Sequence, residues 1–234
     1  MAAGLRPTGR SITLTARRTR ELLQAYPRMP ATVIAAGVIL ISLPAWPKAA
    51  VQTVGEILRI GKITIGSIGD WTLSPGVVIS WHPTTAARER ARQAPVSSVP
   101  VSYMQAQHLR GYYGRTAVGL DYSRQIIATC EVPGQCDISA MNNALNAYLR
   151  RHDTYRSWFE YTSTGAIIRH TINDPADIEF TPIDHGKMTA KEVHDHVVAT
   201  PNPLQWECFT FGIIQSESHF TFYACIDHVH GDAA

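Results

Sequence analysis

Cysteine is scarce in this chain: four in 234 residues, at 130, 136, 208 and 225, with no C-x-x-C pair among them. Such spacing argues against a disulfide framework and for a reducing compartment. Cys208 and Cys225 fall inside apolar runs and read as small core residues. Charge of one sign is also lacking. A formal net charge of +2 gives no basic footprint for nucleic acid, and no alternation of aromatic and basic residues offers a single-strand stacking platform. There is no internal repeat and no low-complexity tract. The longest apolar run, Ala31–Trp46 (ATVIAAGVILISLPAW), falls short of the roughly 20 residues a spanning helix needs, and Pro44 shortens it further. What is present, 45% hydrophobic and 17% charged residues, suits a folded body rather than a disordered one. The length allows one large domain or two small ones.

The amino terminus differs from the rest. Residues 1–28 hold six arginines and a single acid, Glu21, and the apolar run follows. A basic-then-apolar order fits a membrane anchor or interfacial helix. As a secretory signal it has too long a charged region and no clean A-x-A site. Residues 1–58 therefore read as an N-terminal extension, with 31–46 as candidate anchor or simply as sequence upstream of the domain. The body, 59–234, begins where RIGKITIGSIGDW starts to alternate. The expected location is cytoplasmic, with membrane association through 31–46.

Within the body, Thr84–Gln93 is polar and helix-prone, and Ala94–Pro100 reads as a linker. A helix is predicted over Ser102–Arg115, with Gln105, Gln107 and Arg110 as its wet side. Arg124–Val132 is β-rich. Asp137 caps a helix running to about Arg151, whose Ile138, Met141, Leu145, Tyr148 and Leu149 recur at helical spacing and belong to the core. Arg156–Tyr161 and Gly165–Ile172 read as strands. Thr189 and Glu192 form a capping box for a helix ending near Ala199. Gln205–Gln215 and His219–Asp227 read as two strands joined through Ser216–Glu217–Ser218. The fold class is α/β, an α+β mixed sheet with helices on one side.

The chemistry-bearing feature is the carboxyl-terminal sequence Asp227–His228–Val229–His230–Gly231–Asp232–Ala233–Ala234. It follows an alternating strand, so His228 is placed where a strand gives way to a turn. H-x-x-x-D is a cheap pattern and occurs twice, at His170–Asp174 and His228–Asp232. The first copy runs into Asp174–Pro175, a turn dipeptide, and reads as a surface turn. Upstream, LRRHDTYRSWF (149–159) puts Arg151, His152 and Arg156 between a helix end and a strand start. Taken singly, Arg151 and His152 are cations at a helix C-terminus, and Arg156 is a solvated strand-edge arginine.

Together, RHDTYRSWF and DHVHGDA resemble the condensation-domain superfamily, acyltransferases with an HHxxxDG signature and an upstream RHxxLR-like segment. With SWHP (80–83), APVSSVP through SYMQAQ (94–107), DPADIEF (174–180), TPNPLQW (200–206) and FTFYACIDH (220–228), the chain resembles the polyketide-associated acyltransferases of mycobacterial envelope-lipid synthesis, of the type that acylates trehalose or sulfated trehalose. The resemblance covers about Arg59 to Ala234. It implies the N-terminal lobe of a two-lobed, chloramphenicol-acetyltransferase-like fold with a solvent tunnel between the lobes. It also implies His228 as catalytic base, taking a proton from a sugar hydroxyl as that oxygen attacks a thioester carbonyl. Asp232 supports the turn by pairing with an arginine, either Arg156 or one from the second lobe. Asp227 stands where the superfamily has its first histidine, and Ala233 where it has glycine. No cofactor is implied. The donor is an acyl-CoA or carrier thioester, the acceptor a trehalose-like sugar, and a polyketide synthase or carrier protein is the implied partner. The second lobe is missing from the sequence, so the chain is expected to be a truncated or split member with little turnover alone.

Two other readings exist. His228, His230 and Asp232 spell H-x-H-x-D, which resembles the first ligand segment of the metallo-β-lactamase fold. Its next histidine position is Ala233, and His185, His194 and His196 are the remaining ligand candidates. His194 and His196, two apart on a helix, point away from each other. A non-catalytic lobe that binds a carrier protein or companion lobe is the third reading.

Overall fold

The computed structural model describes residues 72–120, 124–200 and 202–231, together with the backbone of two earlier strands. Asp232, Ala233 and most of 1–71 lie outside the described residues. A seven-stranded sheet organises the chain. Its strands are β1 (Gly37–Ile41), β2 (Thr64–Gly66), β3 (Gly76–Pro83), β4 (Gln125–Pro133), β7 (Phe180–Met188), β8 (Phe209–Gln215) and β9 (His219–Asp227), in the order β2-β1-β4-β9-β8-β3-β7. Every neighbouring pair is antiparallel except β1 with β2. A separate hairpin joins β5 (Ser157–Tyr161) to β6 (Ile167–Thr171). The helices are α1 (Thr85–Arg92), α2 (Tyr103–Thr116), α3 (Ile138–Arg151) and α4 (Ala190–Val198).

Alternation explains the layers. Along β9, Phe220 and Ala224 face one side and Tyr223 and Cys225 the other, as the period of two requires. The first set packs with Trp81, Phe209, Phe211 and Ile213 against Leu145 and Leu149 of α3 and Ala87 and Ala91 of α1. The second packs with Val78, Ile127 and Ile214 against Val193 and Val197 of α4. Helices therefore cover both faces, and not one side as the sequence pattern suggested. Apolar residues on both faces of β8 and β9 already required two covers. On the α4 face, Gly212 of β8 leaves room for the Tyr223 ring: a Cβ there would meet Tyr223 Cζ and Oη at 2.3 Å. Gly212→Ala is expected to cost about 1–3 kcal/mol through overpacking, read as a lowered urea midpoint with an unchanged m-value.

Other differences from the sequence reading have local causes. Five residues of the apolar segment 31–46, Gly37–Ile41, form a strand paired with β4 rather than a stretch of helix, and so the sheet draws on sequence before Arg59. Residues 94–100 are no free linker. Ser97 N donates to Arg169 O at 2.8 Å and Thr171 N to Pro95 O at 3.1 Å, which lays the segment along β6. β7 carries little apolar alternation and was not predicted. It is held at its start by buried Asn146 of α3, whose amide donates to Phe180 O and whose carbonyl accepts Phe180 N.

No helix among the described residues is long and apolar enough to cross a membrane.

Candidate active site

β9 is the middle strand of the seven and its last residue, Asp227, pairs with Gln125 at the start of β4. The turn that follows is built by Asp227 itself. Its Oδ1 accepts Val229 N at 2.9 Å, and its carbonyl accepts His230 N at 3.0 Å. An aspartate bonding its own backbone two residues on is a strand terminator, because it offers the amide an alternative to the ladder. The strand end is pinned on both sides: Asp227 N donates to Cys208 O and His228 N to Arg124 O, each at 2.8 Å. His228 is thereby held at the tip of the best-supported strand in the sheet.

The His228 imidazole is half-exposed on a cavity of about 430 Å³. Ser102, Met104, Gln105, Gln107 and His108 line it from the start of α2, Arg124 from just before β4, and Thr154 from the turn before β5. The turn itself adds Val229, His230 and Gly231. His228 makes no hydrogen bond through its ring to any described residue, and it lines the cavity. Such a ring can accept a proton from a hydroxyl brought within reach.

The neighbouring imidazoles have different tasks. His108 Nε2 donates to the buried carboxylate of Asp227 at 2.8 Å, and its ring lies 5.9 Å from that of His228. His230 is buried among Tyr155, Phe159 and Phe209, with Nδ1 hydrogen-bonded to Thr154 Oγ1 at 3.0 Å. Burial, helped by the charges of Arg169 and His108, lowers its pKa to about 3. It is a neutral, packed ring. Among the described residues no group of three His, Cys, Asp or Glu side chains is placed to hold a metal ion.

The remaining sequence candidates are not gathered at this cavity. Arg156 spends its Nη1 on the carbonyls of Ile172, at 2.6 Å, and Asn173, at 3.3 Å, tying β5 to the end of β6. Arg151 is exposed at the end of α3, and His152 caps that helix with its ring 4.7 Å from Tyr148. None of the three lines the cavity. Asp232 lies outside the described residues. His185 of β7 and His196 of α4 pack ring to ring, 4.4 Å apart. Sequence reasoning missed His108, Gln105, Arg124 and Thr154. The one signal was negative: His108 was left off the predicted wet side of its helix, where a histidine needs a polar partner.

Over 177 residues, 76% of this chain and 38% of the relative, the sequence is 58% identical to acyltransferase PapA3 of Mycobacterium tuberculosis H37Rv. The chain is a homologue of the PapA acyltransferases. It is also 54% identical to the 2'-acyl-2-O-sulfo-trehalose (hydroxy)phthioceranyltransferase PapA1 of Mycobacterium bovis BCG, over 75% of the chain and 34% of that protein. A solved PapA2 acyl transferase superposes with a TM-score of 0.66 at 58% identity, covering 69% of this chain and 35% of that one. No protein-family model matches. This PapA homologue spans little more than a third of the length of the curated relatives it matches. These relatives are named as acyltransferases, PapA1 as one acting on an acylated sulfo-trehalose, so neither the metal-dependent hydrolase nor the non-catalytic lobe is the favoured reading.

Proposed function

We propose that this chain is the histidine-bearing lobe of a condensation-type acyltransferase that moves a fatty or polyketide acyl group from a thioester to a hydroxyl of trehalose or sulfated trehalose. The observation that carries the reading is the half-exposed His228 ring, bonded to no described side chain, facing a cavity from the tip of the central strand. In this reading the neutral imidazole takes the proton of the sugar hydroxyl. The oxygen then adds to the thioester carbonyl, and the thiolate leaves and is protonated by the imidazolium, restoring the base. No covalent acyl-enzyme intervenes. Asp232 steadies the far end of the turn through an arginine. Arg124, which lines the cavity and whose carbonyl receives His228 N, joins Arg156 and second-lobe arginines as a candidate for that pairing. Residues 59–234 correspond to the N-terminal lobe of a two-lobed, chloramphenicol-acetyltransferase-like molecule. A second lobe supplies the opposite tunnel wall, and a polyketide synthase or carrier protein supplies the donor. Residues 31–46 remain a candidate for membrane association beyond the strand that five of them form.

The test compares the chain alone with a fusion to the segment that follows the matched region in PapA2. Each is given palmitoyl-CoA and either trehalose or trehalose-2-sulfate, with products read by mass spectrometry. Acylated sugar from the fusion and little from the chain alone is the expected result. Vigorous transfer by the chain alone would overturn the two-lobe requirement. No transfer by a folded fusion, with any of these pairs, would overturn the acyltransferase reading.

A further inference from the structure

α2 grips the catalytic turn at two points, one helical turn apart. Gln105 Nε2 donates to Val229 O at 3.1 Å, and His108 Nε2 donates to Asp227 Oδ1 at 2.8 Å. The same Asp227 oxygen receives Val229 N at 2.9 Å. Residues three apart on a helix share a face, so both contacts fall on the side of α2 turned to the end of β9. The other function of Gln105 fixes its reach. Its Oε1 accepts Ser102 N at 3.1 Å in the capping box of α2, which leaves the amide nitrogen aimed outward at the turn. His108 and Asp227 have side chains only 6% and 4% exposed. A charge-assisted hydrogen bond so far from water is geometrically demanding, and breaking it leaves its partner stranded.

We propose that His108 is a positioning residue for His228, acting through Asp227, with Gln105 as the second point of the same clamp. The proposal rests on the reading of His228 as the catalytic base. It accounts for two otherwise separate facts. The chain has aspartate at 227, where the superfamily signature has histidine, and α2 brings an imidazole, from 119 residues upstream of that aspartate, back to within 5.9 Å of His228. The His228 ring is bonded to no described side chain, so its direction is set through the turn rather than through its own nitrogens. The charged or titratable groups around it are His108 on α2, Asp227 on β9, Arg124 before β4 and His230 in the turn.

The experiment measures carbethoxylation of His228 by diethyl pyrocarbonate across pH 5–8 in the full chain, read by peptide mass spectrometry. His219, at the opposite end of β9, serves as internal reference. His108→Leu removes the donor at similar volume and is expected to change the His228/His219 rate ratio at least fivefold and to alter the shape of the pH profile. His108→Gln, whose amide nitrogen reaches the place of Nε2, is expected to restore the ratio to within twofold. Equal effects from Leu and Gln, or a wild-type profile in a folded His108→Leu, would overturn the proposal. Should His108→Leu unfold, seen as rapid modification of buried His230, Gln105→Met carries the test: a change of threefold or more is expected, and an unchanged ratio contradicts the clamp. Coupled reactivities combined with full acyl transfer by a His228→Ala fusion would sink the proposed function and leave the clamp standing. Uncoupled reactivities with His228-dependent transfer would do the reverse.

Discussion

His228→Ala, in the fusion that restores a second lobe, is expected to lower kcat by about 10²–10⁴-fold, the range a positioned general base supplies. KM for the sugar should change little, because the proton is taken only as the bond forms, and an interaction made in the transition state alone appears in kcat. The substitution should leave the fold intact. The ring is half-exposed and bonded to no described side chain, while the hydrogen bonds that fix the turn come from backbone amides and from Asp227, Gln105 and His108. A loss of activity accompanied by an unchanged urea midpoint is therefore the expected signature. Steady-state rates at saturating donor check it.

Acid should destabilise the fold through His230, two residues further on. Burial holds its pKa at about 3 in the folded chain against 6.5 for a free imidazole. As pH falls below the unfolded value, the unfolded chain binds a proton that the folded chain refuses, so stability drops until the folded value is reached. The contribution is complete above pH 7 and is lost on going down towards pH 3. Between pH 7 and pH 5 the loss is about 2 kcal/mol. His230→Phe keeps a ring among Tyr155, Phe159 and Phe209 at the cost of the Thr154 hydrogen bond. That variant should remove most of the difference. Urea midpoints of both proteins at the two pH values check this, and a wild-type slope in the variant would place the acid sensitivity elsewhere.

Local rules carried much of the fold. The caps at Asp137 and Thr189 each accept the amide their spacing predicted. β9 spans the alternating run from His219 to Asp227. β7 was invisible because an edge strand exposed over most of its length has no alternation to detect, and its start is fixed by Asn146 from another element. The two-sided covering of the sheet was legible in the apolar residues on both faces of β8 and β9, yet helical periodicity says nothing about which face a helix chooses. At the cavity, the position of His228 was legible because strand, histidine and turn are adjacent in sequence. His108 was not, because its partner Asp227 lies 119 residues away and no local pattern encodes that meeting. The contacts of Arg156 were hidden for the same reason: its guanidinium reaches the carbonyls of Ile172 and Asn173, sixteen and seventeen residues on.

The most direct trial of the central claim uses a donor labelled in its acyl chain, mixed with the fusion and quenched in acid within one turnover, with and without trehalose. The account predicts label in the sugar product alone, dependent on the imidazole at 228, and none on protein when the acceptor is left out. Label retained covalently on the protein and then chased to trehalose would contradict it, since a bare proton acceptor leaves no acyl group behind.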